Sequence, residues 1–358
     1  MSGIEFNDRL GRIPVYPAAK TWEHEGELVE LASNEAPWGP LPAVVGALNG
    51  QIERLNRYPD PGKTQMRQRI ADRCELPAAR VAVGNGSCEL LMSAAEVLLE
   101  PGAELIYAWP SFSIYPHVAA QSGARAIEVP LDAEQRHDLD AMAREVTAAT
   151  RLVLICNPNN PTGTAVAVEA IDAFMTDLPR HVAVILDEAY VEFNALQDPG
   201  DSLDLVRRHP NLIVLRTFSK VYGLCGLRAG YALGPEEFRL AVDRVRQPFS
   251  VNALAQAAAA EAIRHQDEVT RRVEATIVER AWLEVELEDR GLTTTDSQAN
   301  FLWVGLGERE EAPIVDGLAQ RGVIVRAGAA LGGEGHLRVT LGTRHQNERF
   351  VAALDELI

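Results

Sequence analysis

The stretch RLVLICNPNNPTG, residues 151–163, decides the fold. Leu152 to Cys156 form an unbroken apolar run, with no polar residue placed to face water. Such a run predicts a strand buried on both faces, the mark of a parallel sheet covered by helices. A polar turn broken by prolines follows at the strand's carboxyl end. The same design returns in RVAVGNGS at 80–87, AELIYAWPSF at 103–112, HVAVILDEAY at 181–190 and NLIVLRTFSK at 211–220. Helical patterns lie between these runs, such as CELLMSAAEVLLEPG, which starts after Ser87 and stops at a Pro-Gly, and AVEAIDAFMTDL. Strands alternating with helices imply an α/β large domain whose mostly parallel sheet is wrapped by helices.

The texture changes after residue 250. ALAQAAAAEAIRHQDEVTRRVEATIVERAWLEVELEDRG reads as a long alanine-rich and charged helical stretch with no strand until Ala299. ANFLWVGL, GVIVRAG and HLRVTLGT then read as strands of a smaller α+β domain, separated by helices such as APIVDGLAQRG. These patterns divide the chain into an N-terminal arm at 1–45 packing on the small domain, a large domain at 46–255 and a small domain at 256–358. A length of 358 residues agrees with one large unit and a smaller companion, since domains usually hold about 100–200 residues.

Composition excludes several classes of function. A net charge of −17 argues against nucleic acid as the main partner, because a polyanion needs a basic face. No apolar run approaches the ~18 residues of a membrane helix, so no membrane partner is expected. The opening MSGIEFNDRLGRIP lacks the apolar core of a signal peptide, which makes the cytoplasm the expected location. The four cysteines stand far apart without a CxxC pair, so neither a metal cage nor a disulfide framework is expected.

Ligands of open α/β sheets bind beyond the carboxyl ends of the strands. Here those ends carry Gly-Asn-Gly-Ser, Pro-Ser-Phe, Asn-Asn-Pro-Thr-Gly, Asp-Glu-Ala-Tyr and Ser-Lys, so every polar cluster falls on one edge. GNGSCEL at 84–90 leads from a strand into a helix, where free N–H groups and the positive helix end suit an anion. A strand-to-helix turn uses glycine in any case, and the stretch matches neither dinucleotide nor P-loop spacing. Asp187 closes its strand half withdrawn from water, either as a helix cap or as partner to a cation or proton donor. Lys220 in TFSKVYGLCGLRAG, 217–230, reads alone as a surface charge. Held at a strand end and desolvated, it becomes an amine able to condense with an aldehyde. Arg228 offers two parallel hydrogen bonds to a phosphate. Together Gly86, Ser87, Ser219 and Arg228 ask for a phosphate, Asp187 for a basic ring nitrogen and Lys220 for an aldehyde. Pyridoxal 5′-phosphate carries all three.

The chain resembles the fold-type I pyridoxal-phosphate aminotransferases, and among them the histidinol-phosphate aminotransferases. The matching stretches include LASNEAPWGP at 31–40, RYPDPG at 57–62, PSFSIYP at 110–116, NPNNPTG, DEAY, ANFLWV at 299–304, GVIVR at 322–326 and LRVTLGT at 337–343. The resemblance implies that Lys220 holds the cofactor and later shuttles a proton, while Asp187 pairs with the ring nitrogen. It implies that Asn160 and Tyr190 bond the ring's phenolic oxygen, that Phe112 stacks on the ring, and that Gly86, Ser87, Ser219 and Arg228 hold the phosphate. Tyr58 would reach that phosphate from the other subunit of a homodimer. Arg338 would clamp the substrate's carboxylate, with Asn34, Arg326 and Tyr16 also at the substrate. Taken singly, Asn160 could be a turn residue, Tyr190 and Phe112 core aromatics, Tyr58 a packing residue and Arg338 a solvated strand charge.

The resemblance further implies a small-molecule amino donor and a 2-oxo acid: L-histidinol phosphate and 2-oxoglutarate, giving imidazole-acetol phosphate and L-glutamate in histidine biosynthesis. An aromatic amino acid aminotransferase and a threonine-phosphate decarboxylase are the alternatives on the same scaffold. A regulator built on this body would carry a basic DNA-binding segment, for which the chain shows no spare length. The chain also departs from the family pattern. Cys88 and Ala36 stand where the family commonly has aspartate and proline. In RAGAALGGEGHLRV at 326–339, alanines replace bulkier residues and imply a roomier pocket wall that would admit a larger aromatic side chain.

Overall fold

In the computed structural model, residues 4–15 and 26–358 are described. The large sheet has seven strands in the order β2-β8-β7-β6-β5-β3-β4. They are β2 (Val81–Gly84), β3 (Glu104–Trp109), β4 (Arg125–Pro130), β5 (Thr150–Cys156), β6 (Ala183–Asp187), β7 (Leu212–Thr217) and β8 (Gly230–Leu233). All run parallel except β8, which is antiparallel to both β2 and β7.

The continuous apolar runs are explained by two cores, one on each face of this sheet. Val153, Ile155, Val184 and Leu186 face one, while Leu152, Leu154 and Ile185 face the other. The helix Gly86–Leu98 lays Leu90, Leu91, Ala94 and Ala95 into the second core, an apolar stripe at helical spacing. The five runs read as strands are strands of this sheet. Two further strands gave no such signal. β4 alternates between exposed and buried residues at the sheet's edge, and β8 is only four residues long.

The second sheet, β1-β11-β12-β10-β9, is built from β1 (Val29–Leu31), β9 (Thr293–Thr294), β10 (Phe301–Gly305), β11 (Val323–Ala327) and β12 (His336–Thr340). β1 pairs in parallel with β11, and the other pairs are antiparallel. Its core holds Val29, Leu31, Leu302, Val304, Val325, Leu337, Val339 and Phe350.

Two sequence expectations are corrected. The helical stretch after residue 250 is two helices, Ala253–Ala262 and Gln266–Glu288, and β9 precedes Ala299. The expected domain boundary at 255/256 cuts through the first helix. Ala255, Ala258, Ala259 and Ala262 pack into a core of the large sheet. The change of core falls instead within Gln266–Glu288, where Val269 joins the large-sheet core and Leu283 and Leu287 join the small one. Among the described residues, no helix is long and apolar enough to cross a membrane.

Candidate active site

The parallel run of β2, β3, β5, β6 and β7 brings their carboxyl ends to one edge, where a cavity of about 360 Å³ opens. Its lining includes Ser87, Phe112, Asn160, Asp187, Tyr190, Ser219, Lys220 and Arg228. Residues scattered over 142 positions of sequence, from 87 to 228, thus meet at one point. Gly86 lies beneath Arg228: a side-chain carbon placed on it would fall 2.6 Å from the Arg228 guanidinium. Gly86 has φ of +76°, a conformation glycine adopts at little cost.

The Lys220 amine donates to the Ser33 carbonyl at 3.1 Å and stands 5.6 Å from the centre of the Tyr190 ring. Desolvation, then the charge of Arg338, lowers its pKa to about 8. Asp187 ends β6, opposite Cys156 of β5 and Leu215 of β7, and is buried. Its Oδ2 accepts from the Tyr115 hydroxyl at 3.1 Å, but its Oδ1 is buried with no hydrogen-bond partner. Burial raises this carboxyl to about 6.

Tyr190 is buried, its hydroxyl accepts from the Asn34 amide at 2.9 Å, and burial pushes its pKa up. Asn34 is itself fixed: its backbone N–H donates to Thr340 Oγ1, and Asn300 donates to its carbonyl. Arg338 is buried on β12 and donates to Asn160 Oδ1 at 2.6 Å and to the Ala32 carbonyl at 2.7 Å. Its guanidinium also lies over the Phe301 ring. Arg338 therefore does not face water, the alternative open at the level of sequence. Arg326 is buried on β11 directly opposite Arg338, which places the two side chains on the same face of the small sheet.

Among the expected residues that are described, Asn34, Tyr58, Gly86, Arg326 and Arg338 are not part of the cavity lining. Tyr58 is 80% exposed and stacks on Phe249 at 4.4 Å, in a separate groove beside Gln256. Tyr16 lies outside the described residues. The alanine-rich turn after Arg326 is not part of the cavity lining. It folds back on itself, with Glu311 accepting from the Ala329 and Gly335 N–H groups and Gly332 packed on the Trp109 indole.

The cavity also contains groups that sequence reasoning left out. Ser33, Glu35, Cys156, Thr217 and Cys225 line it, and Tyr115 braces Asp187 from behind. Tyr115 belongs to the quoted PSFSIYP stretch, but nothing in that stretch distinguishes it from a core aromatic. Cys88 lines the cavity with its thiol pushed up by burial and by Asp187, so it adds no negative charge beside the glycine turn.

Pyridoxal 5′-phosphate can be tested against these residues. The partnerless Asp187 Oδ1 lacks a donor, which a protonated ring nitrogen supplies. The N-cap Asn85 makes no side-chain cap to the helix Gly86–Leu98 and the Glu89 carboxylate takes only the Asn85 N–H, while Arg228 projects over Gly86, so the remaining donors suit an anion. The Lys220 amine completes the set, and the residues fit the group.

Comparison with known proteins agrees with this geometry. The model of the family described as aminotransferase class I and II matches residues 26–354. The chain is similar to an aromatic amino acid aminotransferase from Thermobifida fusca, with 44% identity over 96% of this chain and 94% of the relative. It is also similar to a histidinol-phosphate aminotransferase from Moorella thermoacetica, with 42% identity over 93% and 86%. The crystal structure of histidinol-phosphate aminotransferase from Sinorhizobium meliloti, in complex with pyridoxal 5′-phosphate, matches with a TM-score of 0.85 and 29% identity, covering 92% of this chain and 91% of that one. This chain belongs to the class I and II aminotransferases.

Proposed function

We propose that this aminotransferase uses pyridoxal 5′-phosphate to move the amino group of L-histidinol phosphate to 2-oxoglutarate, giving imidazole-acetol phosphate and L-glutamate. The observation that supports this choice of substrate is Arg338, which donates to Asn160 of the cavity lining, with Arg326 opposite it on β11; both lie outside the lining itself. A phosphate dianion and a dicarboxylate each call for more than one guanidinium, and arginine is suited to both by its fixed fork of donors. The second reading, transamination of aromatic amino acids, is favoured by the Phe112 and Tyr190 rings in the cavity lining and by the relative from Thermobifida fusca.

When bound, pyridoxal 5′-phosphate supplies an aldehyde to receive the donor's amino group and a protonated ring that withdraws electrons from the reacting carbon. Gly86, Ser87, Ser219 and Arg228 would hold its phosphate, Phe112 would cover its ring, and Asn160 and Tyr190 would bond its phenolic oxygen. Asp187 Oδ1 would accept from its ring nitrogen. Lys220, once displaced by the donor, takes the proton from the donor's Cα, a task suited to an amine of pKa about 8. Arg338, Arg326 and Asn34 bind the substrate's anionic groups, and Tyr16 is placed with them by resemblance alone. We further propose a cytoplasmic homodimer in which Tyr58 of one protomer completes the phosphate site of the other.

Steady-state assays with 2-oxoglutarate test the substrate. Histidinol phosphate is expected to give a kcat/KM at least about tenfold above phenylalanine and tyrosine, a difference of ~1.4 kcal/mol in transition-state binding. Rapid turnover of phenylalanine with none of histidinol phosphate would establish the second reading instead. In either case the purified protein is expected to be yellow, and borohydride is expected to fix the chromophore to Lys220.

A further inference from the structure

Asp187 presents its two oxygens to different surroundings. Oδ1 is buried and without a partner, whereas Oδ2 accepts from the Tyr115 hydroxyl at 3.1 Å. Tyr115 opens the helix Tyr115–Ser122 and is 0% exposed. Its ring is boxed edge-on by Tyr107, at 5.9 Å, and by Phe112, at 5.8 Å. Its hydroxyl also stands within hydrogen-bonding reach of the Cys156 thiol. A buried phenol needs an acceptor, and a buried carboxylate needs donors. The pairing satisfies both.

It has a second effect. With Oδ2 occupied, Oδ1 is the oxygen left to meet a ring nitrogen in the cavity. A carboxylate also ionises more readily for each hydrogen bond donated to its charged form. Tyr115, and after it the Ala189 N–H and the Lys220 charge, thus oppose the burial and the neighbouring Glu188 that push this carboxyl up.

We propose that Tyr115 is a positioning residue for transamination: its hydroxyl fixes the Asp187 carboxylate so that the charged Oδ1 faces the ring nitrogen and keeps it protonated. The inference rests on the reading of the cavity as a pyridoxal-phosphate site. Tyr115 itself touches neither substrate nor cofactor and acts through Asp187.

The test is Tyr115→Phe in the holoenzyme, loaded with pyridoxal 5′-phosphate labelled with 15N at the ring. In the wild type the ring nitrogen is expected to show the 15N shift of a protonated pyridinium. In Y115F that signal is expected to move toward the neutral form and to titrate at lower pH, while kcat falls roughly tenfold with KM little changed. Because a lost hydroxyl can disturb folding, a second protein carries 3,5-difluorotyrosine at position 115, a stronger donor of the same shape. It is expected to move the titration the opposite way. Unchanged 15N titration in both proteins, with the yellow chromophore present, overturns the role of Tyr115. Absence of the chromophore from the wild type as well overturns the cofactor reading instead.

Discussion

Lys220 is held in the fold at a cost. Its ordinary pKa of 10.5 falls to about 8 because folding strips water from a charged amine. The sign follows from linkage: the charged form is disfavoured in the folded state, so the penalty is full below pH 8 and is relieved as the pH rises toward 10.5. Cofactor-free Lys220→Met is therefore expected to unfold at a higher temperature than cofactor-free wild type at pH 7. Calorimetry reads the gain, roughly 1–2 °C for each kcal/mol of penalty removed in a chain of 358 residues, and it is expected to shrink toward pH 10. A difference that does not change with pH contradicts this account. The same substitution is expected to abolish transamination, measured by steady-state assay, which would set stability against activity at this one residue. Lys220 and Asp187 were legible in the sequence because each ends a strand's apolar run, Arg228 because an arginine fork in the loop beyond Lys220 suits a phosphate, and Asn160 through the resemblance carried by NPNNPTG. Their partners were not. Tyr115 meets Asp187 across 72 positions, Asn34 meets Tyr190 across 156 and Arg338 meets Asn160 across 178. No local pattern encodes such pairings, because only the completed sheets bring those residues together.

Elements position the anion site through close backbone contact. Gly230, the first residue of β8, lies against the start of the helix Gly86–Leu98: a side-chain carbon on it would fall 2.6 Å from the Ser87 nitrogen and 2.7 Å from the Gly86 carbonyl carbon. Backbone atoms cannot step aside as a flexible side chain can. Gly230→Ala is expected to push the helix end away from Arg228 and raise the dissociation constant for pyridoxal 5′-phosphate about tenfold or more, ~1.4 kcal/mol per decade. Spectroscopic titration of the cofactor-free protein measures it, and unchanged affinity would show that this helix end does not hold the phosphate. Strands buried on two faces were readable at this scale because their apolar runs are unbroken. The reversal at β8 was not readable, since a run of four residues carries no sign of its direction. The break between Ala262 and Gln266 was equally hidden: Ile263, Arg264 and His265 contain neither proline nor glycine.

At the scale of the whole molecule, several large apolar side chains remain exposed apart from the cavity. Leu55, Ile52, Tyr58 and Phe249 are all exposed, and the Tyr58 ring stacks on Phe249 in open water. A homodimer would cover these side chains and give Tyr58 a phosphate to meet. Sedimentation at micromolar concentration is expected to show twice the monomer mass, and Tyr58→Ala to weaken cofactor binding without dissociating the dimer. A fully active monomer overturns both statements. The antiparallel turn at β8 has a final consequence. Lys220 and Arg228 stand near the two feet of a single loop, whose base is closed by the Phe218 N–H donating to the Ala229 carbonyl at 3.1 Å. With both feet clamped to neighbouring strands, the loop works as a caliper: it gauges a molecule by the span from its reactive carbon to its anion before any side chain has judged its chemistry.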